Sequence, residues 1–359
     1  MSLEKNKSQD IQLGVDRFGK AIKISMKGQD MRNYHMRVTG CSGTGKTYAL
    51  TQFASQVCQE GIPVVIIDAS DSYLSEVNEE GSLFQYADRV NVYRQGIGLN
   101  IFSKNRLDVD LEETEADAAR RIAEQFKVNY RLGVRQQGIL YAALNEVLRQ
   151  KGKDSIREKM RFLKLILNSD ETEAGAALVS KLSAFLDMDL FYIPERKWDI
   201  YSEKLKVFNL QYLDDGTQRV LTDMILWEIW NQAVLKGGPD NKIIVLLDEA
   251  QDFNHAGSSP IARMLTQGRK FGIGIWLSTQ FIQEQFKKDA ISRMGQAALQ
   301  IYFKPDDCEI TKVAKAIDNS NWKKWTELLK ELERGECIAV YDEIIDNHTY
   351  NRRKRLHIV

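Results

Sequence analysis

A glycine-rich turn that ends in Lys-Thr lies within residues 36–48, which read MRVTGCSGTGKTY. A short apolar, β-branched run precedes the glycines, and the following YALTQFASQVCQE has the apolar spacing of a helix. Strand, glycine loop and helix in this order indicate that the pattern G-x-x-x-x-G-K-(S/T) is a phosphate-binding loop. In such a loop, backbone amides and the helix N-terminus converge on phosphate oxygens. The sequence therefore predicts a nucleoside triphosphate site.

The residues of this loop have separate predicted roles in holding ATP and Mg²⁺. Lys46 would reach the β- and γ-phosphates, and the Thr47 hydroxyl would help to hold Mg²⁺. Cys41 is either a redox switch or a small residue that fits the loop. The competing interpretation of the whole pattern is a glycine turn followed by a chance lysine. The predicted nucleotide-binding residues are Gly40, Cys41, Ser42, Gly43, Thr44, Gly45, Lys46, Thr47 and Tyr48.

The composition indicates a soluble globular protein, with 43% hydrophobic and 28% charged residues. At 359 residues the chain can form one large α/β domain or two smaller ones. Its formal net charge is zero, so a nucleic-acid site would have to be local. A polar N-terminus and the lack of an apolar run near roughly 20 residues predict neither a signal peptide nor a membrane anchor. Four cysteines without CxxC spacing favour a reducing cytoplasm over a zinc site.

Apolar runs alternate with helical patterns, which predicts an α/β fold with a mainly parallel sheet covered by helices. Residues 11–27 form a predicted β-hairpin. A predicted helix at 217–235 packs on the sheet, with Trp227 and Trp230 in the core rather than exposed as platforms for stacking bases. Strands are expected at 35–39, 64–67, 205–210, 242–248, 273–279, 298–303 and 337–341. The predicted parts are an N-terminal β-hairpin extension (1–30), a first core part (31–106), a helical insertion (107–195), a second core part (196–345) and a basic C-terminal tail (346–359).

A second motif, KIIVLLDEAQDF, occupies residues 242–253. Its apolar run predicts a buried strand whose carboxyl end carries Asp248 and Glu249, and ligands of open α/β sheets bind at that end. Asp248 fits the Walker B role of orienting Mg²⁺, and Glu249 would polarise the water that attacks the γ-phosphate. An acidic pair that merely caps a strand is the competing interpretation.

A third motif, GRKFGIGIWLSTQ, occupies residues 268–280 and predicts a strand that ends in polar groups. In P-loop ATPases with a catalytic Glu beside the Mg²⁺ carboxylate, a strand lies between the loop strand and the Walker B strand. Gln280 fits the sensor position at its end, where it could donate a hydrogen bond to phosphate or water. A glutamine that only starts a loop is the alternative.

These motifs, together with VVIIDASDSY and a late GEC turn, resemble HerA/FtsK-type P-loop ATPases in order and approximate spacing, and the HerA branch most closely. The resemblance runs from about residue 11 to 345. It implies a RecA-like P-loop NTPase core and a homohexameric ring with an ATP site at each subunit boundary. It also implies double-stranded DNA in the central pore.

The chain departs from the family pattern at two places. HerA proteins typically begin with a small β-barrel that docks partner nucleases, whereas about 30 residues precede the loop strand here, so docking by such a barrel is not expected. Many relatives carry Arg-His before the loop strand, where the arginine completes a neighbour's site, but this chain has Tyr34-His35. The trans-acting arginine is therefore sought at Arg269 and Arg293, ranked above Arg32 and Arg37. A surface salt bridge is the alternative role of Arg269.

The sequence favours an ATP-driven translocase of double-stranded DNA, in the cytoplasm, with a separately encoded nuclease or effector in DNA processing or anti-phage defence. The alternatives are a conjugation or secretion ATPase of the same superfamily and an ATP-gated hexameric scaffold that regulates an effector. Candidate DNA-contacting clusters are Lys151–Lys164, Lys287-Lys288 and RRKR at 352–355. Each cluster has a solvated charged surface as its competing interpretation.

Overall fold

A computed structural model describes residues 9–27, 30–73, 87–150, 152, 155–191, 198–281, 285–345 and 348–359. The strands are β1 (Asp10–Val15), β2 (Ala21–Ser25), β3 (Met36–Thr39), β4 (Val64–Asp68), β5 (Asp88–Asn91), β6 (Arg106–Asp108), β7 (Leu111–Glu112), β8 (Leu205–Asn209), β9 (Ile243–Leu247), β10 (Ile273–Thr279), β11 (Leu299–Tyr302), β12 (Glu336–Ile345) and β13 (His348–His357). The helices are α1 (Lys46–Gln59), α2 (Val92–Gln95), α3 (Glu115–Tyr130), α4 (Val134–Arg149), α5 (Ile156–Asn168), α6 (Glu173–Asp187), α7 (Asp215–Lys236), α8 (Pro260–Gln267), α9 (Lys288–Met294), α10 (Ile310–Ile317) and α11 (Trp322–Lys330).

The chain divides into two compact units, the first of residues 1–89, 200–207 and 236–359 and the second of residues 90–199 and 208–235. The predicted insertion (107–195) lies within the second unit, which starts earlier and also contains most of α7. Helix α7 contacts α3 there, since Asn129 donates to Asp223 at 3.0 Å and the Tyr130 and Thr217 hydroxyls lie 2.7 Å apart. These polar contacts could not be read from the apolar spacing of α7.

The large sheet has the strand order β2-β1-β13-β12-β11-β3-β10-β9-β4-β8-β5. Its centre is parallel, because β3 pairs with β11 and β10, and β9 pairs with β10 and β4. The strands from β2 to β12 pair antiparallel, as does β12 with β11. The predicted mostly parallel α/β sheet is confirmed. Strands β1 and β2 pair antiparallel within the segment where the sequence predicts a β-hairpin.

Apolar side chains cover both faces of the first unit's sheet. On one face, Phe53 and Val57 of α1 pack in a core with Val38, Leu246 and Trp276. On the other face, α10 and α11 contribute a cluster that includes Val313, Ile317 and Leu329 with Tyr302 and Val340. Strands β3, β9 and β10 are buried at every position. Burial on both faces fits the continuous apolar sequence of β9, whereas β3 also buries the polar side chains of Arg37 and Thr39.

The register of the central strands aligns the ends that follow them. Thr39 of β3 pairs with Thr279 of β10, and Leu277 of β10 pairs with Leu247 of β9. The chain therefore leaves these neighbouring strands at one edge of the sheet, where the glycine loop, Gln280 and Asp248 come next. Strand β10 lies between β3 and β9, as expected from the sequence.

The segment 346–359, expected to be a basic tail, instead contains β13, which pairs with β12 along its whole length. Its arginines face acidic residues of β12, with Arg352 Nε 2.6 Å from Glu343 and Arg355 Nη2 2.7 Å from Glu336. Cross-strand charge pairs of this kind favour strand pairing over an extended tail.

A helix that crosses a membrane must be both long and apolar. Among the residues that the structure describes, none of the helices meets both requirements.

In the second unit, Trp227 and Trp230 are both buried, with exposed fractions of 6% and 1%. The Arg121 guanidinium carbon lies 5.8 Å from the Trp227 ring centroid. These contacts support the predicted core role of the two tryptophans over a role in base stacking.

Candidate functional site

The glycine loop presents free backbone amides between β3 and α1. Gly43 has φ +76°, which favours glycine, and a side chain there would meet open space. At Gly40 the reason for glycine differs, because a Cβ would lie 2.6 Å from Cβ of Phe303. Among the described contacts, the amides of Gly43, Thr44 and Gly45 donate to no protein acceptor. Unpaired amides ahead of a helix N-terminus fit the oxygens of a phosphate chain.

Three other segments hold the loop by backbone hydrogen bonds. The Gly40 amide donates to the Thr279 carbonyl at 3.3 Å, and the Cys41 amide donates to the Lys304 carbonyl at 2.9 Å. The Thr44 carbonyl accepts from the Gly335 amide at 3.0 Å. Gly335 belongs to the late GEC turn noted in the sequence, so this turn contacts the phosphate-binding loop directly.

Lys46 is the cation of the site and is 6% exposed. Its Nζ donates to the Cys41 carbonyl at 2.9 Å. Burial lowers the pKa of Lys46, whereas the nearby charges of Glu249 and Asp248 raise it. An ammonium group has three donors. Because the Cys41 carbonyl is its one acceptor in the described part of the chain, two donors remain for phosphate oxygens.

Thr47 and Asp248 form the pair that would hold Mg²⁺. The Thr47 hydroxyl lies 3.3 Å from Asp248 Oδ2, and Asp248 is buried at the end of β9. Hydroxyl and carboxylate oxygens are the hard ligands that Mg²⁺ prefers alongside phosphate oxygens. The donor set therefore fits the ion predicted from the sequence.

Glu249 has a left-handed backbone, with φ 49°. Successive side chains of a strand normally point to opposite faces, but both Asp248 and Glu249 act on the charge of Lys46. The left-handed turn after β9 gives a physical reason why both carboxylates serve one site. The Glu249 amide also donates to Asp248 Oδ1 at 3.0 Å.

Two glutamines bond to the Glu249 carboxylate. Gln280 Nε2 donates to Oε1 at 3.0 Å, so the side chain at the end of β10 reaches the predicted catalytic residue. Gln251 Nε2 donates to Oε2 at 2.5 Å. Sequence reasoning missed Gln251, although it lies two residues after Glu249 in the Walker B motif; only the fold of the turn shows its contact.

The four candidate arginines differ in how firmly their own subunit holds them. Arg293 Nη2 donates to the His255 carbonyl at 2.7 Å and lies 2.9 Å from Asp289. Arg37 is buried and donates to the Tyr302 hydroxyl, while Arg32 donates to two backbone carbonyls. Arg269 is exposed and, within the described part of the chain, makes no side-chain hydrogen bond or ion pair.

The side chains of Ser42, Tyr48 and Cys41 make no described hydrogen bond to the other predicted site residues. Cys41 contributes to the site through its backbone carbonyl, which accepts from Lys46 Nζ. Ser42 is exposed on the loop, and Tyr48 of α1 is 46% exposed. Cys41 Sγ donates to Asp306 Oδ1 at 3.0 Å, and burial together with Asp306 raises the pKa of the thiol to about 11. A thiol with so high a pKa forms little thiolate, which argues against the redox-switch interpretation.

The candidate DNA clusters are partly neutralised. Lys151 and Lys153 lie outside the described residues. In the second unit, Arg157 pairs with Asp189 at 2.6 Å and Lys164 pairs with Asp187. Lys287 and Lys288 are exposed at the start of α9. In β13 the outer two arginines of RRKR are paired, as described above.

The parallel strands β3, β10 and β9, the glycine loop and the Thr47–Asp248 pair together define a P-loop ATPase. The chain also matches the sequence profile of the family described as helicase HerA, central domain, over residues 12–229. It therefore belongs to this family, within the HerA/FtsK superfamily of P-loop ATPases. No curated protein sequence matches it.

Solved structures show the same fold. VirB4 of Thermoanaerobacter pseudethanolicus has a TM-score of 0.74 at 16% identity, with 99% of this chain and 97% of that chain covered. The plasmid coupling protein TrwB, in complex with ADP and Mg²⁺, has a TM-score of 0.61 at 16% identity, with 98% and 91% covered. TrwB with an ATP analogue has a TM-score of 0.57 at 18% identity, with 93% and 79% covered.

Proposed function

We propose that this chain is an ATP-hydrolysing ring motor that translocates along or pumps double-stranded DNA. The main observation behind this proposal is the arrangement of side chains at one edge of the sheet. Lys46, the Thr47–Asp248 pair and Glu249, which accepts a hydrogen bond from Gln280, all lie there. Membership of the HerA family supports the choice of DNA as the track. A cytoplasmic location and a separately encoded nuclease or effector belong to the same proposal.

The residues have distinct roles in ATP hydrolysis. Free loop amides and Lys46 bind the phosphates, and Thr47 and Asp248 hold Mg²⁺, which neutralises phosphate charge when bound. Glu249 orients a water molecule and takes its proton as the water oxygen attacks the γ-phosphorus. The bond from the γ-phosphorus to the bridging oxygen breaks, and ADP leaves. Gln280 couples the γ-phosphate position to Glu249.

A homohexameric ring would bring a cation from a neighbouring subunit to the phosphate site. Among the described contacts, none of the four candidate arginines touches Lys46, Thr47, Asp248 or Glu249. An arginine from a neighbour is worth about a thousandfold or more in phosphoryl transfer. Arg269 is the better candidate, because Arg293 already bonds to His255 and Asp289.

A conjugation or secretion ATPase is the second candidate function. The observation that favours it is the fold similarity to VirB4 and to the conjugative coupling protein TrwB, which extends over nearly the whole chain. Such a motor would use the same ATP site, so the two candidates differ in what stimulates turnover.

The test measures steady-state ATPase activity with and without linear duplex DNA, and the displacement of a third strand from a triplex as a readout of movement. We expect DNA to raise turnover severalfold and ATP to drive displacement. The control Glu249→Gln should bind ATP but lose about a hundredfold or more of its turnover. Turnover without a DNA response or displacement would overturn the motor, and a response to a secretion-channel protein instead would favour the second candidate.

A further inference from the structure

Each oxygen of the Glu249 carboxylate has its own amide donor. Gln280 serves Oε1 from strand β10, and Gln251 serves Oε2 from the turn directly after β9. One hydrogen bond leaves a carboxylate free to rotate about its terminal bond, whereas two donors on different oxygens fix its plane. The orientation of Glu249 therefore depends on Gln251 as well as on Gln280.

The local backbone explains how Gln251 reaches back. The left-handed φ of Glu249 starts a tight turn over residues 250–252, in which the Asp252 amide donates to the Glu249 carbonyl at 2.9 Å. This turn returns the side chain at position 251 to the carboxylate two residues earlier. A non-glycine residue in this conformation costs on the order of 1 kcal/mol, and such strain persists where the surroundings fix it.

The other end of the Gln251 amide gives a second observation. Its Oε1 is buried and, in the part of the chain that the structure describes, accepts no hydrogen bond. A buried acceptor without a partner is costly, at about 1–3 kcal/mol. The hydrogen bond from Gln251 Nε2 to Glu249 is therefore the interaction that fixes the orientation of this side chain.

We propose that Gln251 is a positioning residue for ATP hydrolysis that acts through Glu249. This inference rests on the proposed function, in which Glu249 takes the proton of the attacking water. The two glutamines divide the task. When the γ-phosphate attracts the Gln280 amide, the bond from Gln251 keeps the carboxylate aimed at the water.

The test compares kcat and KM for ATP in Gln251→Met, which keeps the length of the side chain but removes the N–H donor. We expect kcat to fall about 10-fold to 100-fold, because moving a catalytic group by about 1 Å from its productive position has effects of up to this size. KM and the affinity for a fluorescent ATP analogue should stay within twofold. Gln251→His, which retains a ring N–H donor, should recover part of the loss, and the exposed Gln267→Met should match the wild type.

A double-mutant cycle separates positioning from a general structural role. In the Glu249→Gln background, adding Gln251→Met should change the residual single-turnover rate by less than twofold, because the residue through which Gln251 acts is gone. An equal fold loss in both backgrounds, or an unchanged kcat in Gln251→Met alone, would overturn the proposal. If Gln251→Met does not fold, Gln251→Glu, which places a second acceptor against the carboxylate, serves in the same cycle. Wild-type turnover in Glu249→Gln itself would instead overturn the proposed function.

Discussion

Lys46 is a buried, charged residue whose surroundings indicate which ligand it binds. Burial alone would disfavour an ammonium group, yet Glu249 and Asp248 act in the opposite direction on its pKa. Among the described residues, Lys46 Nζ donates one hydrogen bond, to the Cys41 carbonyl, which leaves donors for a more highly charged partner. A polyphosphate satisfies both conditions, because it supplies negative charge and several acceptor oxygens.

Lys46→Ala is expected to abolish ATP turnover while the protein stays folded. Removing one charged donor from developing negative charge costs about a hundredfold or more in kcat, and loss of a desolvated ammonium does not weaken the core. Turnover, nucleotide affinity and the thermal unfolding midpoint are the measurements. The exposed Lys330→Ala serves as the matched control, and near-normal hydrolysis in Lys46→Ala would show that the site is misassigned.

Cys41 should resist alkylation at pH 8, because only ~0.1% of a thiol with a pKa near 11 is ionised there. Iodoacetamide followed by peptide mass spectrometry should label the exposed Cys308 first. Burial is the larger cause of the raised pKa and Asp306 the second, so Asp306→Asn should lower the pKa and speed the labelling of Cys41. Equal labelling of Cys41 and Cys308 in the wild type would contradict the described thiol environment.

At the scale of elements, the order β3-β10-β9 assembles the site. The glycine loop follows β3, Gln280 follows β10 and Asp248 follows β9, so residues more than two hundred positions apart meet at one sheet edge. Strand β10 must pack closely against its neighbours for these side chains to meet. A Cβ at Gly274 would lie 2.6 Å from the Tyr34 carbonyl oxygen and 2.5 Å from Ile244 Cδ1.

Gly274→Ala is expected to destabilise the first unit by about 1–3 kcal/mol, the usual effect of overpacking a close-packed core. The same shift should lower turnover, because β10 carries Gln280 at its end. Urea unfolding and ATPase activity measure the two effects. Gly257→Ala is the control, since a Cβ there meets no atom within 4 Å, and its stability should match the wild type. Equal stability of both variants would show that β10 tolerates the added methyl group.

At the scale of the whole molecule, the proposed ring makes activity depend on neighbours. ATPase turnover per subunit should rise steeply with protein concentration as rings form. Mixing Glu249→Gln with Arg269→Ala subunits should restore activity, because roughly a quarter of random boundaries in a head-to-tail ring then pair an intact Glu249 with an intact Arg269. Turnover across mixing ratios, beside light-scattering mass, is the measurement.

The outcomes of this mixing experiment separate assembly from the identity of the arginine. Full specific activity from a monomer at every concentration would rule out the ring. A hexamer whose mutants do not complement would rule out Arg269 alone. Mixing with Arg293→Ala then tests the second candidate, whose bonds to His255 and Asp289 also predict a lower unfolding midpoint for that variant.

Local sequence by itself determined the glycine loop, the buried Walker B strand and the hairpin at the N-terminus. These features depend on short-range chemistry, namely glycines that free the backbone and apolar runs that must be buried. The same reasoning predicted Lys46, Thr47, Asp248, Glu249 and Gln280, and the structure brings their side chains into mutual contact or electrostatic range.

Only the tertiary structure decided the features that depend on a residue distant in the sequence or on a tight backbone turn. The RRKR stretch looked like a tail because its charges have no local explanation, but β12 supplies the glutamates that pair it. Gln251 looked like an ordinary residue after the Walker B pair until the left-handed Glu249 returned it to the carboxylate. Arg293 and Arg269 look equal in sequence, yet one bonds within its subunit and the other is exposed. The local sequence pattern indicates which interactions a side chain is able to make. The tertiary fold decides which of those interactions it does make, because it sets which distant residues lie within reach.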